Sequence, residues 1–134
     1  MRAVVLPELR LRRFWMLCGL CIALLIAILS LVPNNQLPDV DVSDKFEHIA
    51  AFLLLAFWFG SIVARRDYHW VALALLAFGV LIELLQGWMG LGRQADLLDV
   101  RADCIGIVLG LLLALTPAAR WPSWLESMLR KAAS

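Results

Sequence analysis

Four long apolar runs constrain this chain more than any other feature. They cover residues 14–32, 46–64, 70–88 and 100–116. A helix needs ~20 apolar residues to cross a hydrocarbon layer ~30 Å thick, because it rises about 1.5 Å per residue. The first run meets that length without one charge, and Pro33 follows it. Composition agrees: the 134 residues are 63% hydrophobic and 17% charged, too few polar residues to cover a soluble surface. The runs predict an all-α integral membrane bundle of four transmembrane helices plus a short C-terminal interfacial helix.

Charge sets the orientation. Arg2, Arg10, Arg12 and Arg13 precede the first run, Arg65 and Arg66 follow the second, and Arg120, Arg130 and Lys131 close the chain. The other two connections, "NNQLPDVDVSDK" and "MGLGRQADLLDVR", are less basic. Cytoplasmic loops collect Lys and Arg, so both termini are expected in the cytoplasm. The arginines before the first run also suit a signal peptide. Its uninterrupted length, with no small-x-small cleavage site after it, favours a retained anchor. The organisation expected is a basic cytoplasmic tail over 1–13, a four-span domain over 14–117 and an amphipathic cytoplasmic tail over 118–134. In that tail Trp121, Trp124, Leu125, Met128 and Leu129 recur at helical spacing, as in a helix lying on a leaflet. Ser123 and Glu126 fit a capping box for it.

A formal net charge of +1 gives no field for nucleic acid, and the lipid bilayer is the first partner. Cys18, Cys21 and Cys104 all sit inside apolar runs. The C-x-x-C spacing of the first two reads as small packing residues, since redox or zinc chemistry needs polar access.

The polar residues inside the runs gather at one depth. His48 lies about one turn inside the second run, and Glu83 lies five residues before Trp88, ~7 Å below the interface at helical rise. Asp99 and Asp103 open the fourth run from the same side, with Arg93 and Asp96 just before it. Asp44 and His48 are four apart, Glu83 and Gln86 three, and Asp96, Asp99 and Asp103 three and four, so each set shares a helix face. An ionisable group facing lipid costs roughly 2.5–3.5 kcal/mol on insertion scales, so these faces are expected to turn inward. Capping explains Asp44, Asp96 or Asp99 equally well, and snorkelling explains Lys45 and Arg93. His48 and Glu83 are at no helix start, which leaves a working site or an ion-pair tie between helices. Gly106 and Gly110 form a small-xxx-small pattern that admits a close helix, within the bundle or in an oligomer.

These segments, "DKFEHIAAF", "LIELLQGWMGLGRQADLLDV" and "ADCIGIVLG", resemble in order and spacing the signatures of VanZ-like membrane proteins. The matching positions are Asp44, Lys45, His48, Glu83, Gln86, Arg93, Asp99, Gly106 and Gly110, over half the chain. Asp103 departs from the pattern, which has Asn there; an ionised carboxylate only accepts hydrogen bonds, whereas an amide also donates. The resemblance implies a small envelope protein of the bacterial cytoplasmic membrane, in a family whose named member is associated with teicoplanin resistance. It brings no reaction with it.

Three functions remain open. An outward-facing site can bind a lipid headgroup, a peptidoglycan precursor or a glycopeptide-type compound. An enzyme can act on a phosphorylated envelope lipid, with His48, Glu83 and Asp99 as candidate catalytic groups and Asp44, Lys45, Gln86, Arg93, Asp96 and Asp103 as binding groups, a divalent cation being a possible cofactor. Or the residues only clamp the helices. Lipid-phosphatase signatures are absent, and no ionisable residue continues a path through the cytoplasmic half of the spans, against a channel or pump.

Overall fold

The computed structural model describes residues 6, 9–32, 44–90 and 96–133. The described chain is helical: α1 (Arg12–Leu31), α2 (Asp44–Ile62), α3 (Tyr68–Met89), α4 (Leu97–Ala114) and α5 (Trp121–Ala132). Short 3-10 turns at Arg65–Asp67 and Pro117–Arg120 lead into α3 and α5.

Local chemistry explains several helix ends. Val32, the residue before Pro33, is extended at ψ 133°, as a following proline demands. Gly90 ends α3 in the left-handed region at φ 61°, where glycine carries no Cβ penalty. Asp96 caps α4, its carboxylate accepting from the Leu98 N–H at 2.8 Å. Pro117 opens the turn after α4, and the Thr116 hydroxyl accepts from the Ala118 N–H there.

Pairings along the helices set their directions. Lys45 meets Asp99, His48 meets Asp103, Gly106 faces Ile49 and Leu53, and Gly60 faces Ala114. Both numbers rise together, so α2 and α4 run parallel over their whole length. Gly19 packs on Phe59, while Ser30 is reached from Gln86, so α1 runs parallel to α3 and opposite to α2. The result is an up-down-up-down bundle. Alone, α1, α2 and the segment Arg65–Met89 are long and apolar enough to cross a membrane. Asp99, Arg101 and Asp103 lower the hydropathy of α4, which qualifies only together with the segment Pro117–Ala132, bent from it by 75°. Its parallel course beside α2 nevertheless carries it along the same traverse.

The α2–α4 seam is the closest in the molecule. A Cβ on Gly106 would strike the Ile49 carbonyl oxygen and come within 3.0 Å of the Leu53 nitrogen. One on Gly110 would strike the Leu53 carbonyl and lie 2.7 Å from the Ala56 Cβ. Small residues let membrane helices approach to backbone contact. These glycines are therefore taken by α2 inside the bundle, the first of the two partners that their spacing admits. Phe52, Leu55, Ala56, Leu75, Ile82 and Ile107 form the adjoining core. The outside is apolar too: Leu17, Leu24, Leu73, Leu84 and Val108 are all exposed, as lipid-facing side chains are. Trp70 and Trp88 stand exposed near the two ends of α3, about 27 Å apart along its axis at helical rise, close to one hydrocarbon thickness. The chain is an all-α membrane protein.

Candidate functional site

The starts of α2 and α4 and the end of α3 come together at one end of the bundle, opposite the termini. Lys45, at the first turn of α2, donates to Asp96 Oδ2 at 2.9 Å and to Asp99 Oδ1 at 2.7 Å. Its ammonium therefore bridges two carboxylates, beyond the role of an interfacial anchor. One turn deeper, His48 Nδ1 lies 2.8 Å from Asp103 Oδ1, and its Nε2 lies 3.9 Å from Asp99 Oδ2. From α3, Glu83 Oε2 accepts the Asp96 backbone N–H at 2.8 Å, which fastens the end of α3 to the start of α4. The ammonium of Lys45 and the Leu98 N–H hold the Asp96 carboxyl below the usual carboxylate range.

Burial divides the layer by depth. His48, Glu83, Asp99 and Asp103 are buried, while the Lys45 and Asp96 side chains remain 41% and 42% exposed. Among the described residues, two buried carboxylate oxygens have no hydrogen-bond partner, Glu83 Oε1 and Asp103 Oδ2. Asp103 fits because α3 has Gly79 opposite it: a Cβ there would strike Asp103 Oδ2. The carboxylate thus occupies space that a glycine leaves open.

Among the expected site residues, Asp44, Lys45, His48, Glu83, Asp96, Asp99 and Asp103 share this layer. Donor atoms of Asp44, His48 and Asp99 lie within 4.8 Å of one another, a set able to hold a metal ion. Gln86 is turned elsewhere: its amide nitrogen donates to the Ser30 carbonyl at 2.8 Å, tying α3 to α1. Arg93 lies outside the described residues, as do the loop positions around Asn35 and Gly92. Gly79 carried no chemical signal in the sequence, since a glycine inside an apolar helix marks only a close approach.

The opposite end is built differently. Glu126 does not cap α5. Instead its carboxylate accepts from the Arg10 and Leu11 backbone N–H groups at 2.9 and 3.0 Å and from Trp15 Nε1 at 2.8 Å. That overturns the capping box of Ser123 and Glu126: Glu126 caps α1, more than a hundred residues away in sequence. The rings of Trp15, Trp58 and Trp121 pack against one another, tilted or edge to face, with centroids 4.9–5.9 Å apart. Two concavities of about 400 Å³ lie away from the charged layer, one bordered by Arg65, Tyr68 and Arg120 and the other by apolar residues of α1 and α3. The charged layer is open at its rim, where Asp44 is exposed and Lys45 and Asp96 are partly so. It can therefore take an ion among its side chains or a headgroup at its rim.

Neither the curated proteins nor the solved structures contain a match to this chain. The VanZ/LLP1 family model matches residues 22–118, nearly three-quarters of the sequence and every helix of the charged layer. The chain belongs to the VanZ/LLP1 family.

Proposed function

We propose that this membrane protein presents the charged layer as a binding site for the polar headgroup of a cell-envelope lipid or lipid-linked precursor. In this reading it resides in the bacterial cytoplasmic membrane with both termini inside, and the layer faces outward. The arginine distribution supports the orientation, because positive loops are retained in the cytoplasm. One observation carries the site: four buried ionisable side chains from three helices meet at one end, with Glu83 Oε1 and Asp103 Oδ2 unpartnered among the described residues. A buried carboxylate oxygen without a partner costs stability, and such a cost is common where a site is kept for function. Resistance to teicoplanin is the natural phenotype to read, through the family.

The His48–Asp103 pair favours a second reading, catalysis. A carboxylate on Nδ1 fixes the ring and raises the basicity of Nε2, which suits a general base. Nε2 here faces Asp99, so the base would act beside a carboxylate. A pure clamp is the third reading, supported by the Lys45 bridge.

Two measurements test the proposal. Cysteines introduced at Asn35 and Gly92, in a background lacking Cys18, Cys21 and Cys104, should label only from outside. Cytoplasmic labelling of either would remove the outward site. In the cycle of His48→Ala with Glu83→Gln, the double variant should lose no more teicoplanin resistance than either single one, because neighbours in one network are non-additive. Additive losses would mean that the two residues do not share a site.

A further inference from the structure

Among the described residues the charged layer is rich in carboxylates. Asp44, Glu83, Asp96, Asp99 and Asp103 supply five carboxylates, and Lys45 and His48 are the basic groups bonded among them. Lys45 is engaged twice, by Asp96 and Asp99. Among the described residues, no group is hydrogen-bonded to the buried Glu83 Oε1 or Asp103 Oδ2. A phosphate headgroup approaching this layer would meet like charge. Something positive belongs between them.

The geometry points to a divalent cation held by His48 Nε2 and by one oxygen each of Asp99 and Asp44. One donor atom from each of the three residues lies within 4.8 Å of the others, and three atoms at that spacing have a common point within about 2.8 Å of each, so bonds of about 2.0–2.2 Å need each donor to close by under about 1 Å. The ring orientation supports this assignment independently of the spacing. Asp103 takes Nδ1 at 2.8 Å, which turns Nε2 toward Asp99. Metal-bound histidines almost always present their other nitrogen to a carboxylate or carbonyl in this way. Asp99 is likewise divided, Oδ1 toward Lys45 and Oδ2 toward the imidazole. Glu83 Oε1, buried on a residue 4% exposed and without a partner among the described residues, belongs to the same layer and would hold a bound water beside the ion. One imidazole with carboxylate oxygens suits manganese or zinc better than a thiolate-seeking metal. In this scheme Asp103 is a positioning residue, and the cation lets an acidic layer receive an anionic headgroup.

This inference rests on reading the layer as a working site, and its test separates the two. Mn²⁺ is titrated into the purified full-length protein in detergent, with loss of the free-ion paramagnetic resonance signal as the readout. The wild type should bind one equivalent saturably, and its melting temperature should rise relative to protein in EDTA, a measurement that needs no variant. His48→Ala and Asp99→Asn should lose saturable binding. Asp103→Asn should weaken it by about 10–100-fold, as loss of an outer-shell partner does. His69→Ala, an exposed histidine at the start of α3, should change nothing. Absence of saturable binding to folded wild type, or binding unchanged in both His48→Ala and Asp99→Asn, overturns the cation. If resistance is still lost in Glu83→Gln under that result, the site stands without a metal. If Mn²⁺ binds as expected while Glu83→Gln keeps full resistance, the cation is upheld as structural and the headgroup reading falls.

Discussion

The two ends of this bundle use buried carboxylates in opposite ways. At the end that carries the termini, Glu126 receives three N–H donors, two from the start of α1 and one from a buried indole. Its acceptors are matched to donors that the helix start would otherwise leave open. At the other end, among the described residues, carboxylates outnumber the basic groups bonded to them, and two oxygens are buried without partners. One end is arranged for stability; the other holds polar groups in excess of what folding uses. Among the described residues the difference lies in how the carboxylates are satisfied, since the terminal end leaves one buried indole N–H, that of Trp121, without an acceptor.

Both ends hang from the α2–α4 seam, so the largest effect should come from breaking it. Gly110→Leu places a side chain against the Leu53 carbonyl and Phe57 nitrogen, and backbone cannot yield as a side chain does. We expect a loss of about 3 kcal/mol or more, at or beyond the usual cost of overpacking. Thermal unfolding in detergent should show both ends failing together. An unchanged melting temperature would mean that the helices do not depend on this contact.

Next in size is the end with the termini. Glu126→Ala leaves the Trp15 indole N–H buried without an acceptor and uncaps α1, a loss of about 2 kcal/mol. Resistance should persist in the protein that remains folded. The same end should respond to acid. Burial pushes the Glu126 carboxyl up, but the Trp15 indole and the Arg10 and Leu11 N–H groups together outweigh it and hold the group below its ordinary value of 4.5. A depressed folded-state value means that stability is present above about pH 4.5 and is lost as pH falls through the lower folded value. Melting curves of Glu126→Gln should lack that acid limb. If they keep it, the acid sensitivity arises elsewhere.

Smallest in stability, and most telling, is Glu83→Gln. The amide oxygen can still accept from the Asp96 N–H, and the buried charge is gone. We expect a stability change below about 1 kcal/mol, together with lost resistance. A loss of about 3–5 kcal/mol, as when one partner of a buried ion pair is removed, would make the two ends alike and turn the charged layer into a clamp.

Much of this molecule was legible in the chain. Uninterrupted apolar runs permit only helices across a bilayer, because every backbone N–H and C=O must be satisfied within its own segment. That logic yields the all-α bundle, and the depth of His48, Glu83, Asp99 and Asp103 yields their common level. The cost of turning a charge to lipid makes them face inward. What tertiary structure decided is which neighbour each one meets. Spacing along a helix gives a face but not the rotation of one helix against another. The divided roles of Asp99, the turn of Gln86 toward Ser30 and the room that Gly79 leaves for Asp103 therefore appear only in the packed bundle. Glu126 shows the limit most clearly. Its local pattern suited a cap on its own helix, yet a carboxylate accepts from whichever free N–H groups the fold brings nearest, and the fold brought those of α1.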